Sequence, residues 1–267
     1  MELFSLNGKT AIVTGALGLI GRKHCEALAL AGANVIVADI NGEAAADFAA
    51  QLGDQHLGIQ LDVTNKAAVE AARDQILNQY GAIDILVNNA AINDMFENPA
   101  MAKELSAFEN YPLDAFQKSL DVNVTGVFLC SQVFGTVMAE NEGGSIINIA
   151  STYGMVGPDQ KIYRTECGEQ TFFKSAAYPV TKGAIINFTR FLAAYWGSKG
   201  VRVNTLSPGG VENGQNEYFI NNYSEKTLLG RMAKASDYQG ALIFLASDAS
   251  AYMTGANLVV DGGWTAI

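Results

Sequence analysis

The stretch "AIVTGALGLIGRKHCEAL" (Ala11–Leu28) sets three glycines, Gly15, Gly18 and Gly21, between an apolar, strand-like run and a helix-forming run. Strand, glycine turn, helix is the arrangement that holds a pyrophosphate. Free backbone N–H groups and the positive end of the helix dipole face the anion, and glycine leaves room for its approach. Glycine also serves ordinary tight turns, so the triplet by itself leaves both readings open.

The next apolar run, "NVIVAD", ends in Asp39, 18 residues beyond Gly21 (39 − 21). This is close to the offset at which an acidic residue meets the adenosine ribose of a dinucleotide. A carboxylate there accepts from the 2′-hydroxyl and repels a 2′-phosphate, which points to NAD over NADP. Asp39 also fits a plain loop residue opening a turn with Asn41 and Gly42.

Outward from this unit, short β-branched runs alternate with longer Ala-rich segments, the signature of repeated βαβ units. Strands are expected at 10–15, 34–39, 57–63, 83–89, 145–151, 201–208 and 257–263, and helices at 22–31, 42–52, 66–80, 113–140, 177–198 and 235–247. The expected fold is α/β: a Rossmann-type, doubly wound, seven-stranded parallel sheet with helices on both faces. Its ligand crevice lies at the carboxyl ends of the strands. No linker or composition shift divides the 267 residues, so 1–267 reads as one domain. Segments about 92–111, 155–175 and 212–230 fit neither strand nor helix and are expected to wall a pocket.

The formal charge of −10 with no Lys/Arg cluster excludes a nucleic-acid footprint. "MELFSLNGKT" at the start is not a signal sequence, and no apolar run is expected to reach bilayer-spanning length, which predicts a cytoplasmic chain that is off the membrane. Three widely spaced cysteines (Cys25, Cys130, Cys167) and two histidines (His24, His56) predict neither a disulfide framework nor a metal site.

"YPVTK" places Tyr178 and Lys182 at i,i+4, on one helix face. A neighbouring ammonium favours the phenolate, which makes tyrosine a usable acid/base near neutral pH. On its own the pair also fits an ordinary amphipathic face.

"TGALGLIG", "IDILVNNA", "LDVNVTGVF", "GSIINIAS", "YPVTK", "VRVNTLSPGG" and "SDASAYMTGANLVVDGGW" occur here in the order found in the compact short-chain dehydrogenase/reductase family. The resemblance spans nearly the whole chain. It implies a catalytic tetrad of Asn123, Ser151, Tyr178 and Lys182. Tyr178 exchanges the proton with the substrate oxygen, and Ser151 hydrogen-bonds that oxygen. Lys182 lowers the Tyr178 pKa and holds the nicotinamide ribose, while Asn123 supports a water relay. It also implies cofactor contacts by Gly15, Gly18, Leu19, Ile20, Gly21, Asp39, Asp62, Val63, Asn89, Ala90 and Val211, together with Tyr178 and Lys182. Members commonly assemble as tetramers, and the unprotected apolar run "NLVV" agrees with a homo-oligomer, tetramer or dimer.

The sequence departs from the family pattern in several places. Gly18 precedes Leu19, giving Gly-x-x-Gly-x-x-Gly; "NNAG" becomes "NNAA" at Ala91; Asn213 stands where a threonine that contacts the carboxamide is usual. Ser151 and Tyr178 are 27 residues apart (178 − 151), about twice the usual separation. The extra loop carries Lys161, Arg164 and Lys174, which fit either a receptor for an anionic substrate group or a solvated loop paired with Glu166 and Glu169. Asn213, Gln215, Asn216, Tyr218 and Tyr223 predict a polar pocket wall. The expected activity is NAD-dependent interconversion of a secondary alcohol and a ketone on a sugar-like substrate. The sequence also resembles members from bacterial surface-sugar and flagellin-glycan pathways. The competing readings are a 3-oxoacyl-thioester reductase and a non-catalytic NAD-binding regulator.

Overall fold

The computed structural model describes residues 2–93 and 99–267. Strands β1 (Thr10–Thr14), β2 (Asn34–Asp39), β3 (Leu57–Gln60), β4 (Ile85–Asn88), β5 (Gly144–Ile149), β6 (Val201–Pro208) and β7 (Asn257–Val260) form one sheet. Their order is β3-β2-β1-β4-β5-β6-β7, and every neighbouring pair is parallel. The order reverses between β1 and β4, so the carboxyl ends of these two strands part and open a crevice.

Alternate strand residues feed two cores. Ile12, Ile36 and Leu86 pack with Val69, Phe134 and Trp196 on one face. Ala11, Val13, Val35 and Val37 pack with Leu28, Phe48 and Leu242 on the other. Because strands covered on both faces are apolar throughout, the sequence pattern locates them well and their ends poorly. The expected strands run one to three residues too long at β1, β3, β4, β5 and β7. At β7 the chain leaves the sheet where Gly262 and Gly263 adopt φ of 66° and 89°.

The helices are α1 (Leu19–Leu30), α2 (Gly42–Leu52), α3 (Lys66–Tyr80), α4 (Pro99–Ser106), α5 (Leu113–Leu120), α6 (Gly126–Glu140), α7 (Ala177–Trp196), α8 (Glu217–Glu225) and α9 (Gln239–Ala246). Four of them correct the expectation, one being α9, which starts at Gln239 rather than 235 because Ala235–Tyr238 is a 3-10 turn. Helix α1 starts at Leu19 rather than Arg22, because Gly18 in extended backbone (φ −66°, ψ 167°) serves as its N-cap. Helices α4 and α8 occupy parts of the segments read as structureless. Asn216 caps α8, its side chain accepting from the Phe219 N–H at 2.8 Å.

The expected helix 113–140 is continuous but holds one π turn, Asp121–Thr125, in which the Gly126 N–H reaches back five residues to Asp121 O. By length and composition the run Leu113–Glu140 could cross a bilayer, which corrects the expectation of no such run. Most of it is buried, because Val127, Val133, Phe134 and Met138 lie within the protein core.

Candidate active site

At the switch point the Asn89 side chain ties the two parted strands together. Its Nδ2 donates to Thr14 O at 3.0 Å and to Gly15 O at 2.9 Å. Thr14 Oγ1 accepts from the Asn89 and Ala90 N–H groups, both at 3.1 Å. This lacing needs bare backbone. A Cβ on Gly15 (φ 60°) would lie 2.7 Å from Ala90 Cα, and one on Gly21 would lie 2.4 Å from Gly15 O. Helix α1 begins with neither a side-chain cap nor an acidic residue in its first turn, leaving its amides and dipole for an anion.

A cleft of about 620 Å³ runs along these carboxyl ends. Gly15, Gly18, Leu19, Ile20, Gly21, Asp39, Asp62, Val63, Asn89, Ala90, Tyr178, Lys182 and Val211 all line it. Ile40, Asn93, Lys118, Ile149 and Pro208 line it as well, and none of these was singled out from the sequence. Lys118 carries no motif, and its only signal is that it shares a helix face with Val122. Asn213, the residue in doubt at the carboxamide, lies outside this cleft.

One carboxylate oxygen of Asp39 accepts from the Leu17 N–H at 3.0 Å and the other from the Asn41 N–H at 3.3 Å. The carboxylate is thus fixed at the end of β2, facing the cleft, and joined to the glycine loop. Asp62 accepts from the backbone and hydroxyl of Thr64 at 2.9 and 2.7 Å.

Helix α7 presents Tyr178 in its first turn, where the missing N–H of Pro179 has no helical partner to lose. Lys182 follows one turn later on the same face. Ser151 leaves β5 in extended backbone (φ −168°), and its Oγ accepts from the Tyr153 N–H at 3.2 Å. Its hydroxyl proton is therefore available to Tyr178, to which it is hydrogen-bonded. Burial pushes the Tyr178 phenol above its ordinary pKa, with the Ser151 bond acting in the opposite direction, which corrects the expectation that Lys182, 5.7 Å from the ring centre, would bring it below that value.

Lys182 Nζ donates to Ile149 O at 2.8 Å and lies 5.7 Å from the Tyr178 ring centre. Burial, with the charge of Lys174 nearby, lowers its pKa to about 8. Asn123 sits in the π turn. Its Oδ1 accepts from the Ile92 N–H at 2.8 Å, and its Nδ2 donates to Ile92 O at 3.0 Å and to Thr181 Oγ1 at 3.2 Å. The side chain thus joins the segment after β4 to α7, and any water relay would depend on other atoms of this turn.

Beyond Tyr178 lie two joined chambers. The inner one, about 230 Å³, holds Ser151, Tyr153, Tyr178 and Tyr223; the outer one, about 660 Å³, is walled by Arg164, Phe172, Asn213, Asn216 and Tyr218. Asn93, Tyr163, Lys174, Gln215 and Phe219 line both. The long segment between Ser151 and Tyr178 therefore forms substrate-side wall.

The segment is built rather than loose. Gln160 exchanges hydrogen bonds with the Lys174 backbone at 3.0 and 2.8 Å, and the Phe173 N–H donates to Ser106 Oγ at 2.9 Å. Asp159 is ion-paired to Lys226. Its three cations part company. Lys174 lies 4.3 Å from the Tyr178 ring centre and is bonded to Asn93, Arg164 faces the outer chamber, and Lys161 lines neither chamber. Among the described residues no ion pair joins Lys161 or Arg164 to Glu166 or Glu169. Of the segment 92–111, residues 94–98 lie outside the described residues.

The cleft fits a dinucleotide on its own evidence: a cradle that a Cβ at Gly15 or Gly21 would fill, an uncapped helix start, and a carboxylate at the ribose end. Comparison with known proteins agrees. A family model described as enoyl-(acyl carrier protein) reductase matches residues 15–265. The chain is 39% identical to D-threitol dehydrogenase of Mycolicibacterium smegmatis over 98% of this chain and 95% of that one. It is similar to the crystal structure of a gluconate 5-dehydrogenase from Burkholderia cenocepacia in complex with NADP and tartrate (TM-score 0.84, 33% identity, 100% and 98% of the two chains). A short chain dehydrogenase from Leptospira borgpetersenii with bound NAD+ gives a TM-score of 0.82 at 34% identity, covering 97% and 93%. With the switch-point cleft, the glycine loop and the Ser151–Tyr178–Lys182 cluster in one place, the chain belongs to the short-chain dehydrogenase/reductase family.

Proposed function

We propose that this short-chain oxidoreductase interconverts a secondary alcohol and a ketone on a polar, sugar-like substrate, using NAD in preference to NADP. The observation that carries the reaction type is the Ser151–Tyr178 hydrogen bond at the floor of a substrate chamber that opens onto the cofactor cleft. The cofactor supplies the hydride exchange, and the protein supplies position and electrostatics. Gly15 to Gly21 and the start of α1 hold its pyrophosphate, and Lys182 holds the nicotinamide ribose. Tyr178 gives a proton to the carbonyl oxygen, or takes one from the hydroxyl. Ser151 donates to the same oxygen while it carries negative charge. Burial keeps Tyr178 protonated, which suits it as the acid of ketone reduction.

Preference for NAD rests on Asp39. Its carboxylate faces the cleft, and the residues after it are Ile40 and Asn41, neither of which could receive a 2′-phosphate as a cation. A polar substrate rests on the hydroxyls, amides and ammonium of Tyr153, Tyr163, Asn93, Gln215 and Lys174 around the inner chamber. The relatives named above for threitol and gluconate act on compounds of that kind.

The proposal extends to a cytoplasmic homo-oligomer, tetramer or dimer. Edge strand β7 is apolar, and α6 and α7 expose an aromatic stripe in which Phe191 is 59% and Tyr195 65% exposed.

The test is NADH absorbance with a panel of polyols, sugar acids and simple secondary alcohols, run with NAD and again with NADP. Formation of NADH from polyols at a higher kcat/KM than of NADPH is expected. Turnover confined to acyl thioesters with NADPH would overturn the reading.

A further inference from the structure

The segment between Ser151 and Tyr178 delivers one group to the inner chamber that the reaction above does not use. Tyr163 enters from the insertion, and its hydroxyl lies 3.2 Å from that of Tyr153. Both phenols line the chamber. Both are held in place. Tyr153 is two residues beyond Ser151 and ties its N–H to Ser151 Oγ. The Tyr163 ring packs against Phe172 and Phe219, with centres 5.6 and 5.5 Å apart.

Two phenols carry two hydroxyl protons, and the bond between them uses one. Among the described residues neither hydroxyl has a second protein partner. Burial raises the pKa of Tyr163 to about 12 and that of Tyr153 further, so both stay neutral and the second proton is present at any working pH. Tyr223, in the same chamber, is different. Its oxygen accepts from the Gly210 N–H at 2.5 Å and is hydrogen-bonded to Thr152. The Tyr153–Tyr163 pair therefore offers a donor and an acceptor side by side, which is what an alcohol hydroxyl requires. A substrate without such a hydroxyl would leave a half-buried donor unmatched.

Resting on the alcohol–ketone reading above, we infer that the Tyr153–Tyr163 pair recognises a second substrate hydroxyl on the carbon next to the reacting one. The substrate class is then the vicinal diol, a polyol rather than an isolated secondary alcohol. Adjacency follows from reach. Ser151, Tyr178, Tyr153 and Tyr163 all line one chamber of about 230 Å³, which leaves little room between the reacting oxygen and the pair.

Propylene glycol and isopropanol differ only in the adjacent hydroxyl. Each is titrated by calorimetry into protein saturated with NADH, where an alcohol binds without turning over. Wild type is expected to bind propylene glycol about tenfold more tightly than isopropanol. Tyr163→Phe, which keeps the ring, should erase most of that difference, and Tyr153→Phe should do the same if either variant alone folds poorly. Equal binding of the two alcohols by wild type, or a preference retained in both variants, would overturn the inference. NADH formation from NAD is read separately. Its absence beside an intact binding preference would remove the oxidoreductase reading and leave this one standing.

Discussion

Lys182 Nζ lies 5.7 Å from the centre of the Tyr178 ring and gives its hydrogen bond to Ile149 O, the last residue of β5. The lysine is held at the strand end and buried, and that cost is visible in its pKa of about 8 against an ordinary 10.5. The folded chain binds this proton more weakly than the unfolded chain. The destabilisation is therefore absent above about pH 10.5, grows as the pH falls and is complete below about 8.

Lys182→Met should accordingly raise the stability of the cofactor-free protein at pH 7 by about 2 kcal/mol, or several degrees in Tm, while abolishing turnover. Thermal melts at pH 7 and pH 10.5 check this. The gain should shrink at the higher pH, and a variant less stable than wild type at both would contradict it.

Asp39 both faces the ribose end of the cleft and accepts from the Leu17 N–H. Asp39→Asn keeps a carbonyl oxygen for that amide and removes the charge, together with the longer bond that the other oxygen accepts from the Asn41 N–H. The ratio of kcat/KM for NADP over NAD should rise by about tenfold or more, with Tm within a few degrees of wild type. An unchanged ratio would show that the carboxylate does not set the preference.

His24 is fully buried in α1, neither ring nitrogen has a hydrogen-bond partner among the described residues, and burial lowers its pKa to about 4. It is neutral in both states above its ordinary 6.5. Between there and about 4 the unfolded chain takes up the proton first, so stability falls as the pH drops. At pH 4.5 this histidine should account for about 2 to 3 kcal/mol of lost stability relative to pH 7. Denaturant unfolding of wild type and His24→Leu at the two pH values isolates the share. If the two proteins lose stability in parallel, the assignment is wrong.

How much of this was legible in the sequence differs from element to element. The glycine loop, Asp39 and "YPVTK" could be read because each depends on near neighbours in the chain: a strand end, a turn and a helix start. The end of β3 could not, since "LGIQLDV" keeps Leu61 and Val63 past Gln60, where pairing stops, whereas "NLVVDGG" carries its stop, Asp261 and the glycine pair, directly after Val260. The π turn at Asp121–Thr125 has no local signal. It accompanies an Asn123 amide bound to Ile92 and Thr181, which come from other parts of the chain.

Helix α8 had a signal, Asn216 before Glu217, that its polar composition concealed. The split among the three insertion cations was beyond reach. Only the Gln160 clamp on the Lys174 backbone and the Arg164–Gln170 hydrogen bond decide which of them turn inward. That Tyr163 would meet Tyr153 depends on the same fold of the insertion.

In the proposed reaction Tyr178 is the proton-transfer group of an oxidoreductase. The most direct measurement compares wild type with Tyr178→Phe, following NADH formation from NAD with threitol and propylene glycol. NADH binding is measured on both proteins by fluorescence. The phenylalanine keeps the ring beside Lys182 and Lys174 and removes only the hydroxyl bonded to Ser151. Turnover should fall by at least about a thousandfold, with NADH affinity within a few fold of wild type. A variant that turns over substrate as wild type does would contradict the account.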